Sequence, residues 1–162
     1  VRENIFNILF HSKVIDIDLK NLNVLDLYAG SGSFGIECLS RNASKVVFVE
    51  KDSDAILNLE KNIRNINLFK NSKIVSKDVL EFFNKFILGD YIKFNVIFFD
   101  PPYQDISFVN SFKIIKKNHF LCKNHIIIIH RESKSDEDLQ KYIKIIENRT
   151  YGRSEIFFGK IF

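Results

Sequence analysis

Apolar residues along the chain fall into two rhythms. Continuous runs closed by polar or turn residues occur at 23–29 (NVLDLYA), 45–50 (KVVFVE), 72–78 (SKIVSKD), 95–100 (NVIFFD) and 125–132 (HIIIIHRE). Continuous rather than alternating apolarity suits strands covered on both faces, as in a parallel sheet. Between them, Ile56, Leu59, Ile63 and Ile66 recur at spacings of three and four behind Asp52-Ser53-Asp54, which predicts an amphipathic helix. Leu139, Tyr142, Ile143 and Ile146 repeat that spacing behind Ser135-x-x-Asp138, a capping signal, and predict another helix. The segments after Gly35, after Asp78 and from Ser107 to Lys117 fill the remaining connections as helices, and 1–10 predicts a helix ahead of the first strand.

Strand and helix in alternation predict a right-handed, doubly wound α/β sheet whose strands are mostly parallel. The end of the chain differs. NRTYGRSEIFFGKIF (148–162) holds two strand-like runs around Gly152 with no room for a helix, which predicts an antiparallel hairpin at the sheet edge. No linker, repeat or low-complexity tract divides the sequence, so residues 1–162 are expected to form a single domain.

Composition narrows the setting. At 162 residues, 46% hydrophobic and 27% charged, the chain has the make-up of an ordinary globular domain. No apolar run approaches the roughly 20 residues that span a bilayer, and no secretory signal opens the chain, so no membrane partner is expected. The two cysteines, Cys38 and Cys122, are too few for a disulfide framework, and both are expected reduced in a cytosol. The chain begins at Val1 and contains no methionine, so an N-terminal piece is expected to precede it. A net charge of +4 and a pI of about 9.0 are compatible with a nucleic-acid partner. The excess is mostly lysine in a chain crowded with Lys, Asn, Ile and Phe, a bias that A/T-rich coding alone produces.

Candidate chemistry begins at Gly30-x-Gly32-x-x-Gly35, which follows one predicted strand and opens one predicted helix. Glycines let the backbone turn tightly and approach a ligand, and the helix start offers unpaired N–H groups. Glu50 ends the second strand, twenty residues beyond Gly30, where a carboxylate accepts hydrogen bonds from ribose hydroxyls. The loop's Tyr28, Ala29 and Ser31, and Lys51 after Glu50, are further candidate cofactor contacts. A dinucleotide fits this much equally well. Asp26 tilts the choice: a carboxylate four residues before Gly30 disfavours a pyrophosphate and suits the ammonium and sulfonium of S-adenosylmethionine. Asp26 is also placed to cap the loop's own N–H groups. Asp78, with the backbone of Val79 behind it, is placed to meet an adenine amino group; alone it reads as a helix cap.

Asp100-Pro101-Pro102-Tyr103 follows the fourth strand, at a carboxyl end where open α/β sheets bind ligands. The two prolines fix the backbone and remove two N–H donors, leaving carbonyls as acceptors. An exocyclic amino group on a nucleobase is a poor nucleophile, because its lone pair is delocalised into the ring. The Asp100 carboxylate and the Pro101 carbonyl can each accept one of its N–H bonds and favour a pyramidal nitrogen aimed at a methyl donor. Tyr103 can stack on the flipped base. In isolation two prolines after a strand are a rigid turn; beside Asp26, the glycine loop and Glu50 they point to chemistry.

Together these blocks resemble the RsmD-type methyltransferases, which use S-adenosylmethionine to methylate a guanine N2 in bacterial 16S rRNA. The resemblance rests on VRENIFNIL, LDLYAGSGSFGIECLSRNASKVVFVEKD, FFDPPY and YGRSEIFFGKIF, nearly the whole chain. It implies a class I fold with a seven-stranded sheet, monomeric action, and a substrate on the assembling small ribosomal subunit, the guanine at position 966; the cysteine reading already makes the expected setting cytoplasmic. By motif position it implies cofactor contacts from Asp26, Gly30, Ser31, Gly32, Glu50, Asp78 and Val79, and a guanine held by Asp100 to Tyr103. Family members carry a basic segment with an Arg-Pro-Thr element ahead of the VRE helix; within residues 1–162, Arg2 and Asn7 are the candidate substrate contacts.

Other signals are weaker. Cys122-x-x-His125 offers two metal ligands where structural zinc takes four, so no metal is expected. His11, His119 and His130 are scattered and read as neutral core or surface histidines. Cys38 reads as a small buried hydrophobe. The charge run KSDEDLQK (134–141) reads as a solvated helix face. Three rival functions remain. A DNA adenine-N6 methyltransferase uses the same tetrapeptide but needs a recognition region for which there is no room. An NAD-dependent dehydrogenase is disfavoured by Asp26 and by the lack of a Tyr-Lys or His catalytic pair. A non-catalytic RNA-binding module has no reason to keep Asp100 and Tyr103.

Overall fold

The computed structural model describes residues 1–15, 17–86, 92–133, 135 and 137–161. The five continuous apolar runs form parallel strands: β1 (Asn23–Leu27), β2 (Lys45–Glu50), β3 (Ser72–Ser76), β4 (Phe94–Phe99) and β5 (Leu121–Glu132). β6 (Lys144–Tyr151) and β7 (Ser154–Lys160) form the expected hairpin, and β7 pairs antiparallel with β5. The sheet has seven strands in the order β3-β2-β1-β4-β5-β7-β6.

Helices cover both faces, which explains the unbroken apolarity of the strands. On one face Val24, Val46, Phe48, Val96 and Ile128 pack under α1 (Arg2–His11), α2 (Ser33–Ser40) and α3 (Ser53–Asn65). On the other, Leu25, Val47, Ile97, Phe99 and Ile127 meet α4 (Val79–Phe86) and α5 (Asn110–Lys117). α3 starts as its sequence indicates, with the Asp52 side chain accepting from Ala55 N. Cys38 is buried in the first of these cores.

Gly35 fixes how closely α2 lies on the sheet. A Cβ there would sit 2.4 Å from Phe48 Cε1 and 2.8 Å from Val46 Cγ1. Gly35→Ala gains about 0.5–1 kcal/mol of helix preference and loses about 1–3 kcal/mol to overpacking, for a net loss of about 1–2 kcal/mol. A lower urea midpoint at unchanged slope is the expected result.

Two expectations fail here. The helix predicted over Leu139–Ile146 is a single 3₁₀ turn, Leu139–Lys141, and Asp138 makes no side-chain cap bond there. From Lys144 the chain joins β6, where Ile145 packs with one core and Ile146 with the other. Alternation across the sheet has overridden the helical spacing, because β7 offers a backbone ladder and Ile is readily accepted in strands. The charge run is likewise no solvated helix: Glu137 has only 8% of its side chain exposed. Lys134 and Asp136 of that run lie outside the described residues.

Candidate active site

β1 pairs with β2 on one side and β4 on the other, so the strand order reverses there. A crevice must open at the carboxyl ends of such strands. The structure has a cavity of about 820 Å³ at that place, lined by Tyr28, Glu50, Lys51, Asp78, Val79 and Asp100–Tyr103 among others. Nine residues singled out in the sequence thus converge on one cavity.

Of the glycine loop, Tyr28 is in that lining, whereas Asp26, Ala29, Gly30, Ser31, Gly32 and Gly35 are not; the loop turns through left-handed backbone at Tyr28 (φ 58°), Gly30 (57°) and Gly32 (80°). Ala29 N donates to Val49 O at 3.1 Å, and Asn62 Nδ2 donates to Ser31 O at 3.0 Å, so the loop is tied to β2 and α3. A Cβ on Gly30 would meet nothing within 4 Å, whereas one on Gly32 would strike Leu59 at 2.1 Å. Gly32 and Gly35 therefore serve packing, and Gly30 leaves open space.

Glu50 ties the loop to the end of β2. One oxygen accepts from Gly30 N at 2.8 Å, and the other from Lys51 N at 2.9 Å and Asp52 N at 3.0 Å. Asp26 is 2% exposed and accepts from Gly35 N at 3.0 Å, the loop-capping role foreseen as its alternative. Burial pushes the Asp26 carboxyl well above the usual carboxylate range; the Gly35 N–H opposes this, and the charges of Asp100 and Glu50 add to it. Asp78 accepts from Leu80 N at 3.0 Å, capping α4, and faces Lys51 Nζ at 3.9 Å.

Across the cavity, Asp100 Oδ1 lies 2.8 Å from His130 Nδ1, and Tyr103 is 62% exposed. Arg131, 2% exposed, donates to the carbonyls of Pro102 (3.1 Å) and Tyr103 (2.9 Å) and pairs with Glu137. The Tyr28 hydroxyl donates to Asp105 Oδ2 at 3.5 Å. Burial, then the charges of Asp105 and Asp78, push that phenol above its ordinary value, so it stays a donor.

His130 corrects its sequence reading as a scattered histidine, and Arg131 and Glu137 were missed altogether. His130 and Arg131 lie near the end of β5, and the strand-end rule that marks Asp100 would have marked them too. Glu137 had no signal inside its charge run. Arg2 and Asn7 sit on α1 and are exposed; Asn7 lines a separate groove of about 630 Å³ with His11, Glu147 and Arg149. His125 is structural: its Nε2 accepts from Ile161 N, so its Nδ1 donates to Cys122 O. Among the described residues no three His, Cys, Asp or Glu side chains gather as a metal site.

Strand order, antiparallel last strand and a cleft at the β1/β4 switch define a class I methyltransferase fold. The chain belongs to the family described as Conserved hypothetical protein 95, whose model matches residues 1–160, and is an RsmD-type methyltransferase. An uncharacterized methylase of Rickettsia prowazekii is 30% identical over 200 residues, covering 96% of this chain and 84% of its own. Ribosomal RNA small subunit methyltransferase D of Buchnera aphidicola subsp. Acyrthosiphon pisum is 34% identical over 134 residues, covering 83% of this chain and 65% of its own. This chain thus spans just under two thirds of that relative. Among solved structures, a putative methyltransferase from Escherichia coli superposes with a TM-score of 0.81 at 22% identity, over 99% of this chain and 84% of its own.

Proposed function

We propose that this chain transfers a methyl group from S-adenosylmethionine to the exocyclic N2 of a guanine in 16S rRNA, on the small ribosomal subunit or its assembly intermediate. The observation that carries the reading is Asp100-Pro101-Pro102-Tyr103, held at the mouth of the cleft with a carboxylate, a carbonyl and an exposed ring side by side. When bound, S-adenosylmethionine supplies an electrophilic methyl group on a sulfonium. The carboxylates of Glu50, Asp78 and Asp100 line the cleft that such a cation would enter. Glu50 and Asp78 would hold the ribose and adenine.

With Asp100 Oδ1 on His130, its other oxygen would accept one amino N–H, and the Pro101 carbonyl, which takes a 3.5 Å bond from Arg131, would accept the other with its second lone pair. As the methyl group passed from the sulfonium to the nitrogen, the C–S bond would break and S-adenosylhomocysteine would leave; the methylated nitrogen would become acidic and Asp100 would take its surplus proton. Tyr103 stacks on the base, and holding the reactants in line is worth on the order of 7–11 kcal/mol. The relatives named for small-subunit rRNA methylation support the substrate class. Action as a cytoplasmic monomer belongs to the same reading; among the described residues no helix is long and apolar enough to cross a membrane.

The test incubates the full-length protein with labelled S-adenosylmethionine and unmodified small subunits, with DNA in parallel, and identifies the methylated nucleoside by mass spectrometry. N2-methylguanosine is expected. N6-methyladenine from DNA would overturn the substrate, and no product despite bound cofactor would overturn the reaction.

A further inference from the structure

We infer that Arg131 is a positioning residue: anchored by Glu137, it occupies the Pro102 and Tyr103 carbonyls and leaves the Pro101 carbonyl to accept the target amino group. This rests on the methyl-transfer reading above. Two consecutive prolines have no N–H to anchor, so at Pro101 and Pro102 the backbone can be held only through its carbonyls. The Pro102 oxygen accepts from Asp105 N at 2.8 Å and from Arg131 Nη1 at 3.1 Å, which uses both lone pairs. The Tyr103 oxygen accepts from Arg131 Nη2 at 2.9 Å. The Pro101 oxygen has only a 3.5 Å contact with Nη1, at the outer limit of a hydrogen bond. One planar cation thereby contacts three successive carbonyls, two at full hydrogen-bond distance and the Pro101 carbonyl only weakly, with a lone pair left over.

The ion pair itself shows what sets its orientation. The Arg131 side chain is fully buried, its guanidinium 4.8 Å from the Phe108 ring centroid. Arg–carboxylate pairs are frequently bidentate, with two parallel N–H···O bonds. Here only Nη2 reaches Glu137; Arg131 Nε and Glu137 Oε2 are buried without a partner among the described residues. The guanidinium makes one bond to Glu137 and turns donors of both Nη1 and Nη2 to the loop.

A lysine can carry the charge but cannot reach two carbonyls and a carboxylate in one plane. Arg131→Lys is expected to lower kcat by roughly tenfold to a hundredfold, the scale of an ångström misplacement, with cofactor Kd within about twofold. Arg131→Ala in the presence of added guanidinium ion tests the same point, with partial recovery of kcat expected. Unfolding midpoints report whether each variant is folded at the assay temperature. Wild-type kcat in folded Arg131→Lys would overturn the inference, as would a loss of kcat matched by equal losses in folded fraction or cofactor affinity. Absence of methylated nucleoside from the wild-type protein would instead strike the underlying reading.

Discussion

Asp100→Ala is expected to lower single-turnover methyl transfer by roughly 10²–10⁴-fold, the usual reach of a positioned acid–base group. Asp100 stands at the end of β4 with 45% of its side chain exposed, and His130 Nδ1 fixes one of its oxygens at 2.8 Å. The substitution removes both an acceptor that orients the amino group and the first stop for its proton. Cofactor affinity should change by no more than a few-fold, since Glu50 and Asp78 lie on the ends of other strands. Asp100→Asn separates the two roles, because it keeps an acceptor oxygen but not the charge. Intermediate turnover in that variant would assign part of the effect to orientation. Near-normal turnover in Asp100→Ala would sink the proposed role.

Much of this site was legible because it obeys rules local to the chain. Asp100 and Glu50 each close a run of apolar residues, and a parallel sheet delivers such residues to one edge. The glycine pattern is contained in one short loop, and only its division of labour depends on where Leu59 and Phe48 lie. What failed was long-range. The spacing Leu139, Tyr142, Ile143, Ile146 suits a helix or a strand approached by a turn, and only the β7 ladder decides between them. Glu137 lies far along the chain from the loop it steadies, and nothing in its charge run sets it apart from Asp138. Its partner Arg131 is buried, and burial of a charged residue is a property of the packed molecule. His130 was overlooked for another reason: a histidine within an isoleucine-rich strand reads as core until the end of that strand is known to face a cleft.

Glu50→Ala carries the second large effect, and it divides a double role. The spacing from Gly30 assigns Glu50 a ribose to hold, while the structure has its two oxygens accepting three backbone N–H groups, from Gly30, Lys51 and Asp52. A carboxylate has about four lone-pair sites, so an oxygen can keep its loop bond and still receive a hydroxyl. Removing it is expected to weaken cofactor binding by roughly 1–3 kcal/mol, the scale of hydrogen bonds to a charged group. Calorimetry reads that loss directly. Glu50→Gln should fall between, because its amide presents an N–H₂ where a backbone N–H also points. Hydrogen exchange at Gly30, Lys51 and Asp52 supplies the other half. Faster exchange together with weaker binding would mean that the loop anchor and the ribose contact are one group. Faster exchange with unchanged affinity would mean that Glu50 holds only the loop, and that the ribose is held elsewhere.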